Sequence, residues 1–184
     1  MEPHEHEGRL HEASDESAFA SGVSYALSRL KMDKMVLKPK QVEAVRPVYE
    51  RKDAFVWLPT GYGKSICFQM LPYLFDFKLG RISAAPDKHS VILIISPLLS
   101  LMVNQVSDLK SRGVQAGILS GNPDVNPSFI ATESHVKEGR FSHLYSCPEA
   151  IVSADRWRQL LADKPLSEQV VAIVIDEAHC VYKW

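Results

Sequence analysis

Two short stretches of this chain carry residues of the type and spacing needed for phosphate chemistry. One is Lys64-Ser65 behind Gly61 and Gly63, in Phe55 to Ser65 (FVWLPTGYGKS); the other is Asp176-Glu177, at the end of the aliphatic run VVAIVI. Two glycines let a backbone turn tightly with its N–H groups pointing inward, so Thr60, Gly61, Tyr62 and Gly63 would cradle the phosphates of a nucleotide. Lys64 would reach the β- and γ-phosphates, Ser65 would ligate Mg²⁺, and a helix opening at this point would add its positive end. In a nucleotide-hydrolysing site Asp176 would hold Mg²⁺ opposite Ser65, and Glu177 would orient and deprotonate the attacking water. Either stretch alone has a plainer reading, as a glycine turn with an exposed lysine or as an ordinary acidic strand end. Together they point to hydrolysis, although Leu58 stands where the general phosphate-loop pattern has its first glycine.

These residues require strands ending in loops. Phe55 to Leu58 is predicted as a short strand feeding the loop, and SICFQMLPYLF after it as a buried helix that Pro72 kinks or ends. VILIISP (Val91 to Pro97) and VVAIVI (Val170 to Ile175) are continuous aliphatic runs, the mark of strands covered on both faces. Leu98 to Lys110 places Leu98, Leu101, Met102, Val106 and Leu109 on one helical face. Further strands are predicted over Val114 to Leu119 and Ser142 to Ser146, with helices over Phe129 to Glu138 and Ile151 to Ala162. Upstream, Ala18 to Met32 reads as a helix capped by Ser17, and a second helix starts near Pro39, with Pro47 ending or kinking it. Alternating strands and helices give an α/β fold: a parallel sheet with helices on both faces.

The 184 residues, 46% hydrophobic and 23% charged, suit one globular domain. Residues 1–17, acidic and His-rich, read as a disordered tail, and residues 18–184 as the domain; His4, His6 and His11 read as solvated side chains. A formal net charge of −1 supplies no global basic field, so nucleic acid would have to meet a local face. Cys67, Cys147 and Cys180 lack metal or disulfide spacing and suit a reducing compartment. No apolar run approaches the roughly 20 residues of a membrane helix, so an intracellular protein without a membrane partner is expected.

PTGYGKS followed by DEAH resembles the superfamily 2 helicases, whose phosphate loop often lacks the first glycine. LPTGYGKSICFQMLP, ISPLLSLMVNQV, YSCPEAI and VIDEAHCVYKW, in that order, are similar to the RecQ family of ATP-dependent DNA helicases over roughly Leu37 to Trp184. The resemblance implies a RecA-like P-loop NTPase lobe using ATP and Mg²⁺, with Lys64, Asp176 and Glu177 as motor residues. It implies that Gln41 reads adenine, with Lys38 where the family usually has arginine. Ser96, Pro97 and Ser100 would meet the backbone of single-stranded or forked DNA, as would Ser146 and Cys147. Trp184 would fall at the tryptophan of an aromatic-rich loop, where base stacking contributes about 1–3 kcal/mol.

The family's second lobe and its arginine finger would lie downstream of Trp184. The expectation is therefore an N-terminal piece of a 3′-to-5′ helicase, a truncated first lobe that hydrolyses ATP feebly and does not unwind by itself. In a eukaryote it would be nuclear. Two other readings stay open: a non-catalytic nucleotide- or DNA-binding module, and an RNA helicase of the same superfamily.

Overall fold

The computed structural model describes residues 3–85, 88–120, 122, 124–153, 155–164 and 166–183. It falls into two units, Met1–Gly80 and Arg81–Trp184. The first is helical: α1 (Pro3–Arg29), α2 (Pro39–Tyr49), α3 (Lys64–Gln69) and α4 (Leu71–Lys78). Helix α1 packs on α4, and α2 on α3 and α4. Rings knit them together, Phe19 edge-on to Tyr49 at 5.1 Å and Tyr49 near Phe75 at 6.5 Å, around the fully buried Leu30, Val45, Met70 and Leu74. Burial of each such aliphatic side chain is worth about 1.5–3 kcal/mol.

Prolines shape this unit as their missing N–H dictates. Pro47 lies inside α2 but only two residues from its end, and Pro72 sits in the first turn of α4, where no intrahelical donor is needed. The break between α3 and α4 at Met70 is the interruption that Pro72 led one to expect.

Helix α1 spans Pro3–Arg29, with no proline after its first residue to interrupt it, and so includes much of the segment expected as a tail. One expectation is corrected here. Phe55 to Leu58 forms no strand: it pairs with nothing among the described residues, and Phe55 and Trp57 are 85% and 89% exposed. A β-conformation is held by a ladder partner, and the five apolar residues between Lys52-Asp53 and Pro59 supply none of their own.

The second unit comprises β1 (Val91–Ile95), α5 (Leu99–Ser111), β2 (Ala116–Leu119), α6 (Glu133–Lys137), β3 (His143–Ser146), α7 (Pro148–Ser153), α8 (Asp155–Ala162), α9 (Leu166–Gln169) and β4 (Val170–Ile175). Its sheet is parallel throughout, in the order β2-β3-β1-β4, with Leu93 opposite both Leu144 and Ile173. Adjacent residues of a strand point to opposite faces. Leu144 joins Val91, Leu93, Trp157 and Leu160 in the core on one face, whereas Tyr145 reaches α5 on the other. Helices therefore cover both faces of the central strands.

Strand β4 departs from the expectation of full burial: Ile173 and Ile175 are 64% and 48% exposed. Among the described residues β4 pairs only with β1, so it forms an edge of this sheet. The helix expected over Ile151 to Ala162 is helical over 151–153 in α7 and over 155–162 in α8, and that over Phe129 to Glu138 shortens to α6 behind a 3₁₀ turn at Pro127–Phe129. No helix among the described residues is long and apolar enough to cross a membrane.

Candidate functional site

In the first unit the loop before α3 is shaped by two left-handed glycines, Gly61 (φ 78°) and Gly63 (φ 95°). A Cβ on Gly63 would come within 2.8 Å of Nε2 of Gln41, so glycine is needed there for conformation and for space. The Tyr62 N–H donates to the Pro59 carbonyl at 3.1 Å, closing the turn, and Lys64 opens α3. Lys64 Nζ donates to the Leu58 carbonyl at 3.2 Å, which places the ammonium over the loop. Thr60 and Gly61 are exposed, and Ser65 is half-buried in the first turn of the helix.

Gln41 is fully buried and ties α2 to this loop. Its Nε2 donates to the carbonyls of Tyr62 at 3.2 Å and Gly63 at 3.1 Å, and its Oε1 accepts the Lys38 backbone N–H at 2.8 Å. Both amide protons are thereby committed to the loop. Lys38 adds a second link: its ammonium donates to the Tyr62 carbonyl at 3.2 Å and lies 4.5 Å from the centre of the Tyr62 ring.

In the second unit the candidate residues gather at the carboxyl ends of β1, β3 and β4, where open parallel sheets bind ligands. The Asp176 N–H donates to the Ile95 carbonyl at 2.9 Å, extending the ladder by one residue. Asp176 Oδ1 accepts the Glu177 N–H at 3.0 Å, and Oδ2 accepts from Nε2 of Gln105 at 3.3 Å. Glu177 has φ 54°, a left-handed conformation costing a non-glycine residue about 1–2 kcal/mol. Its carboxylate lies 3.2 Å from Nδ1 of His179.

The residues expected to meet nucleic acid are placed unevenly. Ser100 is exposed and Pro97 half-buried, at the start of α5, whose N-terminus has no side-chain cap. Ser96 is buried, and its Oγ finds no hydrogen-bond partner among the described residues. Ser146 is buried too, its hydroxyl donating to the Cys147 carbonyl at 3.1 Å. Cys147 is half-buried, and burial pushes its thiol above the usual range. Trp184 lies outside the described residues. Gln105 and Tyr145, whose hydroxyl donates to Oε1 of Gln105 at 3.0 Å, lie within the motifs ISPLLSLMVNQV and YSCPEAI, but the sequence reading assigned neither a role of its own. A glutamine on an amphipathic helix gives no signal of a role at an acidic site.

Comparison with known proteins agrees with this geometry. The profile of the DEAD/DEAH box helicase family matches residues 38–184. The chain is 31% identical over 147 residues to ATP-dependent helicase SGS1 of Saccharomyces cerevisiae, covering 80% of this chain and 10% of that protein. It is 34% identical over 149 residues to probable ATP-dependent DNA helicase RecS of Bacillus subtilis, covering 80% of this chain and 26% of that protein. ATP-dependent DNA helicase RecQ of Bacillus subtilis is 34% identical over 146 residues, covering 78% and 21%. The chain thus spans between a tenth and about a quarter of the length of these relatives. The RecQ resemblance read from the motifs is borne out, and the chain belongs to the DEAD/DEAH box helicase family.

Proposed function

We propose that this chain is the nucleotide-binding first lobe of a RecQ-like, ATP-dependent 3′-to-5′ DNA helicase, and that it binds ATP with Mg²⁺ and the backbone of single-stranded DNA. The observation that carries the reading is the loop at Gly61 to Ser65. Two left-handed glycines deliver Lys64 and Ser65 to the first turn of a helix, within a segment that the helicase family matches from residue 38 onward. Backbone N–H groups and a lysine in that setting favour a polyphosphate.

The donor set suits Mg²⁺. No group of three or more His, Cys, Asp or Glu side chains able to hold a metal exists among the described residues. Mg²⁺ is held by one or two protein oxygens, with phosphates and waters completing its shell. Ser65 and Asp176 would supply those oxygens, and the ion, when bound, neutralises phosphate charge. Glu177 would orient the attacking water and accept its proton. Gln41 would read adenine by exchanging one of its bonds to the loop for the base edge. Ser100, Pro97 and Cys147 would face the DNA backbone, with Trp184 stacking on a base. The two Bacillus subtilis relatives are named as DNA helicases, which favours DNA over RNA here and implies an intracellular setting, nuclear in a eukaryotic cell.

Titration of the chain with a fluorescent ATP analogue and Mg²⁺ tests the reading. Saturable binding is expected, and Lys64→Ala should abolish it while leaving the fold intact, since within the loop Lys64 makes one hydrogen bond among the described residues, to the Leu58 carbonyl. Equal binding by wild type and Lys64→Ala would overturn the assignment. Labelled oligothymidine in the same titration tests the nucleic-acid half.

A further inference from the structure

Three side chains of the second unit form a hydrogen-bonded line of which the proposed function uses only one end, Asp176. The Tyr145 hydroxyl donates to Oε1 of Gln105 at 3.0 Å, and Nε2 of Gln105 donates to Oδ2 of Asp176 at 3.3 Å. The other carboxylate oxygen accepts the Glu177 N–H at 3.0 Å. Both oxygens of Asp176 thus have a fixed donor, and its backbone is pinned to Ile95. A carboxylate otherwise turns easily about its last torsion, which is broad and roughly two-fold.

The two ends of a glutamine amide differ, one accepting and one donating. Only one orientation puts the NH₂ group against Asp176; the reverse would set a carbonyl oxygen against a carboxylate. Tyr145 is fully buried in β3, and its hydroxyl selects the productive orientation.

We propose that Gln105 is a positioning residue for the Asp176 carboxylate and that Tyr145 fixes the orientation of Gln105. The inference rests on the reading of Asp176 as the carboxylate that faces Mg²⁺. Helix α5 carries Gln105 and starts at the Ser96-Pro97-Leu98-Leu99-Ser100 segment, while β3 carries Tyr145 and runs straight into Ser146-Cys147. The line therefore joins both segments expected to meet DNA to the carboxylate. Displacement of either by a bound strand would be felt at Asp176 as a change of orientation.

The test is the Mg²⁺ concentration at which the 184-residue chain reaches half of its gain in affinity for a fluorescent ATP analogue. Gln105→Leu should raise that concentration about tenfold, the lower end of what loss of a ligand-supporting hydrogen bond costs in metal affinity. Tyr145→Phe, which removes one oxygen and leaves the ring and the Gln105–Asp176 hydrogen bond in place, should raise it by less than about tenfold. Thermal midpoints are recorded alongside, because a merely structural role would lower the midpoint and leave the Mg²⁺ requirement unmoved. An unchanged requirement in both variants overturns the proposal; should Gln105→Leu fail to fold, Tyr145→Phe decides it alone. A wild-type chain whose nucleotide affinity ignores Mg²⁺ overturns the proposed function and this inference with it, and that result is visible before either variant is made.

Discussion

Replacement of Gln41 should weaken the first unit even with no nucleotide present. Gln41→Leu keeps the buried volume and deletes three hydrogen bonds, to the Tyr62 carbonyl at 3.2 Å, the Gly63 carbonyl at 3.1 Å and from the Lys38 N–H at 2.8 Å. Each contributes about 0.5–1.5 kcal/mol net. The Gly63 backbone lies in an exposed residue, where water can replace the lost donor, so the total belongs near the lower half of the range, about 2 kcal/mol. For a chain of this size that lowers the thermal midpoint by roughly 4–8 °C. Gln41→Glu is closer in shape yet should be worse. Its carboxylate would face two carbonyl oxygens at the positions where the amide now donates, and burial adds to the penalty. The measurement is differential scanning calorimetry of the ligand-free chain. If Gln41 does no more than read a base, both variants melt with the wild type, and the tether argument fails.

Two further outcomes follow from packing and protonation. Gly117→Ala would place a methyl 2.8 Å from Cε1 of Phe141 and 2.9 Å from Cβ of Ala131; overpacking of this kind costs about 1–3 kcal/mol, and an unchanged urea midpoint would show that the ring simply moves aside. Burial pushes the Cys67 thiol up to about 11 from an ordinary value of 9.0. A group raised on folding contributes stability that is complete below its unfolded pKa and lost as pH rises through the folded one. Stability should therefore hold up to pH 9 and decline toward pH 11, and Cys67→Ala should flatten that part of the profile; an identical slope in the variant would remove the thiol as its cause.

The aliphatic runs of β1 and β4 were legible because strands in a parallel sheet need no alternation. Their positions were not legible. Whether a run ends at the centre or the edge depends on pairing across some 80 residues, as between Ile92 and Ala172, and the exposed Ile173 and Ile175 follow from that pairing. Phe55 to Leu58 looked like a strand by composition, but composition supplies no ladder partner. Residue type and spacing marked Lys64, Ser65, Asp176 and Glu177, since phosphate chemistry restricts which side chains can serve. Gln105 escaped notice for the opposite reason. On α5 it sits among Met102 and Val106, whose spacing reads as core, and only the fold shows that a polar member of that face meets Asp176. Leu98, predicted on the inner face, is exposed instead at the uncapped start of the helix.

The strand order has a consequence for how the chain is made. Strand β1 is flanked on both sides by segments that follow it in sequence, and its partner in β4 is synthesised about 80 residues later. At about 5–20 residues per second, Val91 to Ile95 leaves the ribosome roughly 4–16 s before that edge can close. For that interval the nascent chain presents Val-Ile-Leu-Ile-Ile, with no charge or proline within it to discourage pairing with another chain. Biogenesis of this lobe therefore depends on shielding that one pentapeptide until its partners emerge.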